Sequence, residues 1–112
     1  MSVNEYLESL LRETVLEFVN GDFDKISAKL IDDLTIEDIK EELNNWGELT
    51  PPPDSAYRND TNRIGYSDGS GYVIEFELWI DNQKSDLTLT CEVLVDKMQN
   101  IQSFRIENLH VL

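Results

Sequence analysis

Cysteine and histidine are nearly missing from this chain, each occurring once, as Cys91 and His110. A lone thiol excludes an intrachain disulfide and fits a reducing compartment. Proline is confined to one run, Pro51-Pro52-Pro53, so helices and strands elsewhere meet no proline break. No apolar stretch approaches the roughly 20 residues that cross a bilayer, and Met1-Ser2-Val3-Asn4-Glu5 offers no basic region for export. The sequence therefore predicts a cytoplasmic chain that engages no membrane.

Positive charge is the other scarcity. Nine Lys and Arg stand against 23 Asp and Glu, a formal charge of −14 spread over the chain. Such a field repels nucleic-acid phosphates and anionic lipid, and speeds encounter with basic surfaces. Nucleic acid becomes an unsuitable direct ligand and a basic protein a suitable one. The plain alternative is acidity that serves solubility alone.

What is present is the make-up of one globular domain: 112 residues, 40% hydrophobic and 29% charged. Val3, Leu7, Leu10, Leu11, Val15, Phe18 and Val19 recur at helical spacing, with Glu5, Glu8, Arg12, Glu13 and Glu17 opposite them. Asn20-Gly21 supplies the stop. A second stripe runs through Phe23, Ile26, Leu30, Ile31 and Leu34, opened by Asp22 or Asp24 as a cap. A third opens at Thr35 with Asp38 three residues on, a capping box, and continues through Ile36, Ile39, Leu43 and Trp46 to Gly47.

The prolines end this helical half, residues 1–50. Residues 51–71 are a connection rich in Asn, Asp, Ser and Gly, with one short strand near Arg63 to Tyr66. From residue 72 the period becomes two. Tyr72, Ile74, Phe76, Leu78 and Ile80 alternate with Val73, Glu75, Glu77 and Trp79, and Leu87, Leu89, Cys91, Val93 and Val95 alternate likewise with polar neighbours. A turn over Asn82 to Ser85 pairs Leu78 with Leu89, Phe76 with Cys91 and Ile74 with Val93. After a turn at Lys97 to Asn100, Phe104 falls opposite Val93, Ile106 opposite Cys91 and Arg105 opposite Glu92. Phe104 and Ile106 are even-numbered while Leu109 and Val111 are odd, which predicts a β-bulge near Asn108. The expected fold is α+β in a single domain, residues 1–112: N-terminal helices on one face of an antiparallel meander of three to four strands, residues 72–112.

Catalytic motifs are hard to find. Asp81 and Glu92 hold the first and last positions of a calcium loop, but its sixth position is Asp86 instead of glycine and its second half reads as strand. Cys91 and His110 sit on adjacent strands with side chains expected on opposite faces, which argues against a dyad. Glu75, Glu77, Glu92 and Glu107 share one face, Glu75 beside Glu92 and Glu77 near Glu107, with Arg105 between, on a surface that water screens. No catalytic residue, metal or cofactor is expected, and the chain is not expected to be an enzyme.

Trp79 is less easily set aside, because it shares that face with Glu75 and Glu77, and Val73 and Leu94 join it. An aromatic anchor ringed by charge builds a surface for a basic protein. Alternatively, a helix or the Ser55 to Gly71 segment folds over Trp79 and makes it core. Glu75, Glu77, Trp79 and Glu92 are the candidate partner-binding residues. Glu37, Asp38, Glu41 and Glu42 on the third helix form a rival surface.

The Thr35-Ile36-Glu37-Asp38 helix start, the Pro51-Pro52-Pro53-Asp54 break, the Ser85-Asp86-Leu87-Thr88-Leu89 strand start and the ending Ile106-Glu107-Asn108-Leu109-His110-Val111-Leu112 form a combined pattern. In it the chain resembles a group of small bacterial domains of unassigned function, some of which look like immunity proteins of contact-dependent growth inhibition and related toxin systems. The resemblance implies a cytoplasmic protein that binds and neutralises a cognate toxin domain, commonly a nuclease with a basic surface. The shared features are structural, so no binding residue is carried over. The competing class is a cystatin-like or nuclear-transport-factor-like domain that encloses a small ligand or an active site; against it, the inward faces lack a set of polar residues.

Overall fold

The computed structural model describes residues 2–111. Helix α1, Val3–Asn20, begins with a capping box: the Glu5 amide donates to Ser2 Oγ at 3.1 Å, and Glu5 Oε1 accepts from the Ser2 amide at 3.4 Å. It ends at Gly21, whose φ of +66° is cheap only for glycine. Leu7, Leu11, Val15 and Phe18 form its buried stripe. Helix α2 spans Phe23–Lys29, and Asp22 holds its cap position without a side-chain hydrogen bond. Helix α3, Ile36–Leu43, carries the expected capping box of Thr35 and Asp38. It stops a turn before Gly47, and Trp46 beyond it packs half-buried against the core.

The chain on both sides of the prolines is more ordered than the sequence suggested, and the stretch read as helical to residue 50 ends in a strand. A short strand β1, Leu49–Thr50, pairs with the end of a long strand β3, Gly71–Ile80. Proline has no amide to donate, so Pro51 to Pro53 cannot extend that ladder and the chain leaves the sheet. It turns into an unforeseen helix α4, Asp54–Asn59, then rejoins the same edge of β3 as strand β2, Thr61–Gly65. Helix α4 buries Ala56 and Tyr57, and the Tyr57 ring stacks on Phe76 with centroids 5.2 Å apart. Arg12 fixes the helix from outside, 2.7 Å from Asp54 and 4.3 Å from the Tyr57 ring centroid.

Strand β4, Gln83–Val95, and strand β5, Ile101–Val111, complete an antiparallel sheet in the order β1-β3-β4-β5, with β2 also on β3. The β3–β4 register differs from expectation by two residues. Phe76 faces Leu89, Ile74 faces Cys91, and Tyr72 faces Val93. The turn is also tighter than expected: Asp81 and Asn82, at φ +50° and +64°, form a two-residue connection that lets Ile80 pair with Gln83. A bulge reconciles turn and ladder, since Trp79 pairs with Lys84 and Glu77 with Thr88. Within it the Ser85 hydroxyl donates to the Leu78 carbonyl at 2.6 Å and accepts from the Leu87 amide at 3.2 Å. Between β4 and β5 the expected pairs hold, Val93 with Phe104, Cys91 with Ile106 and Glu92 with Arg105. The bulge expected near Asn108 is there too, with Glu107 as the extra residue between the Asn108 and Ile106 pairs.

Helices α1 to α4 cover one face of this sheet, and the core lies between. Leu11, Ile26, Ile39, Phe76, Leu89, Cys91 and Ile106 are buried in one cluster, with Phe104 packed at its margin. The β5 edge is covered by the chain leaving α2: Leu30 bridges Ile106, the Ile31 amide donates to the Ile106 carbonyl at 3.0 Å, and Arg105 donates to the Leu30 carbonyl. Among the described residues the opposite sheet face has no helical layer.

Candidate functional site: an acidic hollow on the open sheet face

Val73, Glu75, Glu77 and Trp79 all point to the open face and are half-buried by their neighbours there. Across the middle of this face runs a hollow of about 490 Å³ lined by Asp60, Asn62, Glu75, Glu77, Asp86 and Thr88. Each side chain is placed by a different device. Asp60 caps the C-terminus of α4, and Asn62 stands on β2 with its amide donating to Glu75 Oε1 at 2.8 Å. Glu75 and Glu77 are successive outward residues of β3, and Asp86 is presented by the β4 bulge.

The charge here is uncompensated. Among the described residues none of Asp60, Glu75, Glu77 and Asp86 takes part in an ion pair. Arg105, expected between the carboxylates, lies opposite Glu92 in register, but its guanidinium is drawn to the sheet edge, 3.2 Å from Asp32. Four carboxylates in a concave surface focus a negative potential that an open, convex surface would dissipate.

The candidate residues divide. Glu75 and Glu77 line the hollow; Glu92 and Trp79 do not. Glu75 faces Thr90 instead of Glu92, and Glu92 faces Val73, a consequence of the two-residue register difference. Glu107, expected near Glu77, is the bulged residue of β5. Glu92 accepts from the Tyr66 hydroxyl at 2.9 Å. Burial foremost, then this hydrogen bond and the charges of Glu92, Glu107 and Asp68, push the Tyr66 phenol up to about 12. Trp79 is half-buried beside Thr50 and Lys84 and lies outside the core cluster, its indole N–H buried without a hydrogen-bond partner among the described residues.

The rival surface on α3 is more committed to its own fold. Asp38 is used in the capping box, and Glu42 accepts from the Trp46 indole at 3.3 Å. Cys91 and His110 do not meet: Cys91 is fully buried beneath the sheet, where burial pushes its thiol up and away from nucleophilic use, while His110 pairs opposite Thr88 on the other face. Among the described residues no three of His, Cys, Asp and Glu are grouped to hold one metal ion, and no helix is long and apolar enough to cross a membrane. Asp60 and Asp86 escaped the sequence reading. The Asp81-Asn82 pair was the available signal for Asp86, because a two-residue turn there moves every β4 residue relative to β3.

Fold and face together define a small α+β domain with one helix-covered and one open, acidic sheet face. The chain belongs to a family described as a domain of unknown function, DUF7668, which matches residues 15–112 and so includes every strand and every residue of the hollow. No curated protein and no solved structure matches the chain.

Proposed function

We propose that this protein is a binding domain that docks its open sheet face on a basic protein and blocks that partner's function, as an immunity protein blocks a cognate toxin nuclease in the bacterial cytoplasm. The observation that carries the binding surface is the hollow of Asp60, Glu75, Glu77 and Asp86, four carboxylates without ion-pair partners among the described residues. The toxin as partner rests on the resemblance of the sequence pattern. In this mechanism the carboxylates take the place of substrate phosphates in the toxin's cleft and accelerate association, and Trp79 adds an apolar anchor beside them.

The test is kinetic, with the basic proteins encoded nearest this gene, expressed and purified, as the probes. Glu75→Lys with Glu77→Lys lowers the association rate by about ten-fold or more at low salt and flattens its salt dependence. Trp79→Ala instead raises the dissociation rate, at a cost of about 2 kcal/mol. Glu37→Lys with Glu41→Lys on α3 leaves both rates within about two-fold. Loss of binding in the α3 variant alone would move the interface to the helices. Absence of binding to any basic protein encoded nearby would remove the inhibitor function itself.

A further inference from the structure

The two edges of the sheet are finished differently. Leu30 and Ile31 lie against β5, so that edge is partly paired, whereas β2 has β3 on one side only. The Tyr66 amide donates to the Gly71 carbonyl at 2.9 Å, which closes the β2–β3 hairpin with a hydrogen-bonded pair. Such pairs alternate along an antiparallel ladder, so Ile64 with Val73 and Asn62 with Glu75 are the next ones. The amides and carbonyls of Thr61, Arg63 and Gly65 therefore point away from β3, and among the described residues these backbone groups have no partner. Nothing blunts this edge. It carries no proline or lysine, no bulge interrupts its pairing with β3, and Asn62 to Gly65 are all exposed, Ile64 by 48%. Its two sides differ in charge. Asn62, on the open face, lines the acidic hollow with Asp60 just before it, while Arg63, on the helix side, lies 3.7 Å from the centroid of the Tyr72 ring.

We propose that the basic partner adds a strand to β2: an extended segment with lysine or arginine at alternate positions runs antiparallel to Thr61–Gly65 and bonds to the backbone of Thr61, Arg63 and Gly65. This rests on the reading of the open face as a surface for a basic protein, and it states how that protein is held. In strand addition the main-chain bonds supply affinity and the alternate side chains supply specificity. The charges fix which way the segment lies. On the open face its basic side chains meet Asp60 and the hollow beyond, and at two strand spacings, about 10 Å from β3, they extend toward Glu75 and Glu77. On the helix side they would meet Arg63. Directly opposite residues of an antiparallel pair share a face, so the segment's non-basic, helix-side residues are the ones that exchange bonds with Thr61, Arg63 and Gly65. A second copy of this chain is the poorer occupant, because two molecules of charge −14 repel.

The probe is a short, end-blocked peptide of alternating lysine and valine, compared with one N-methylated at every valine and one N-methylated at every lysine. Methylation keeps the charge and removes amide donors, so the pair separates strand addition from simple attraction to the acidic face. Titrated into the isotope-labelled full chain, the parent peptide gives saturable amide shifts at Thr61, Arg63 and Gly65 and slows the exchange of those amides with solvent. The valine-methylated peptide binds about ten-fold or more weakly, and the lysine-methylated one stays within about three-fold of the parent. A glutamate–valine peptide binds at least about ten-fold more weakly than the parent. No saturable response, shifts that leave out the three β2 amides, equal binding of the two methylated peptides, or equal binding of the acidic peptide would each overturn the assignment. If both methylated peptides bind like the parent and Glu75→Lys with Glu77→Lys abolishes binding, the acidic face still recruits basic chains and strand addition alone is overturned.

Discussion

At the scale of single residues, burial decides which groups are chemically available. Tyr66 is the clearest case, since its phenol is held up to about 12 by burial and by its bond to Glu92. An unfolded tyrosine releases its proton near 10, so between about pH 10 and 12 the unfolded chain is deprotonated while the folded chain is not. The stabilisation is complete below the lower value and is lost as pH rises through the higher one. Tyr57 and Tyr72, raised by burial, act in the same direction. A phenolate absorbance titration should therefore show a late component that shrinks in Tyr66→Phe, with Tyr57 and Tyr72 supplying what remains. In Glu92→Gln it should move toward the ordinary range without reaching it, because burial remains. A late component unchanged in both variants would mean that another tyrosine carries it.

At the scale of elements, the β3–β4 hairpin sets the composition of the acidic hollow. Its turn holds Asp81 and Asn82 in the left-handed region, where asparagine is tolerated and β-branched residues are not. Asn82→Val should lower stability by about 1–2 kcal/mol in urea unfolding, and Asn82→Gly should be neutral or slightly stabilising. Equal stability of the valine variant would show that the turn relaxes to a longer loop, with loss of the Asp86 placement. Gly71, at the other end of β3, is constrained differently: a Cβ there would collide with the Val93 carbonyl, so the close approach of β3 and β4 requires glycine. Helix α4 shows how little sequence an element needs when packing supplies the stability. Its six residues could not hold a helix alone, but the Tyr57–Phe76 stack and the Arg12–Asp54 pair hold it on the core.

At the scale of the whole molecule, a charge of −14 on 112 residues works against compactness, because each carboxylate sits in the field of the others. Screening relieves this, and the Debye length falls from about 30 Å at 0.01 M salt to about 10 Å at 0.1 M. The thermal midpoint should therefore rise by several degrees as sodium chloride is raised over that range, since about 1 kcal/mol corresponds to roughly 4–8 °C in a domain near this size. Calorimetry checks this, and a midpoint that falls with salt would show that favourable ion pairs such as Lys29–Glu17, at 2.8 Å, outweigh the repulsion.

The sequence by itself determined the class of fold, the three N-terminal helices, the long strands, the bulge in β5 and the face on which Glu75, Glu77 and Trp79 lie. Each follows from local periodicity and capping, which a chain carries in its residue order. Face assignment survived the wrong β3–β4 register because the difference was two residues, and strand side chains repeat every two. What that difference altered was neighbourhood: Glu75 lost Glu92 as its cross-strand neighbour, and Asp86 joined the hollow. Helix α4, the withdrawal of Arg105 to the sheet edge and the meeting of Asp60 with Glu77 were decided only in the tertiary structure. They depend on contacts between residues far apart in the chain, and no local period encodes those contacts.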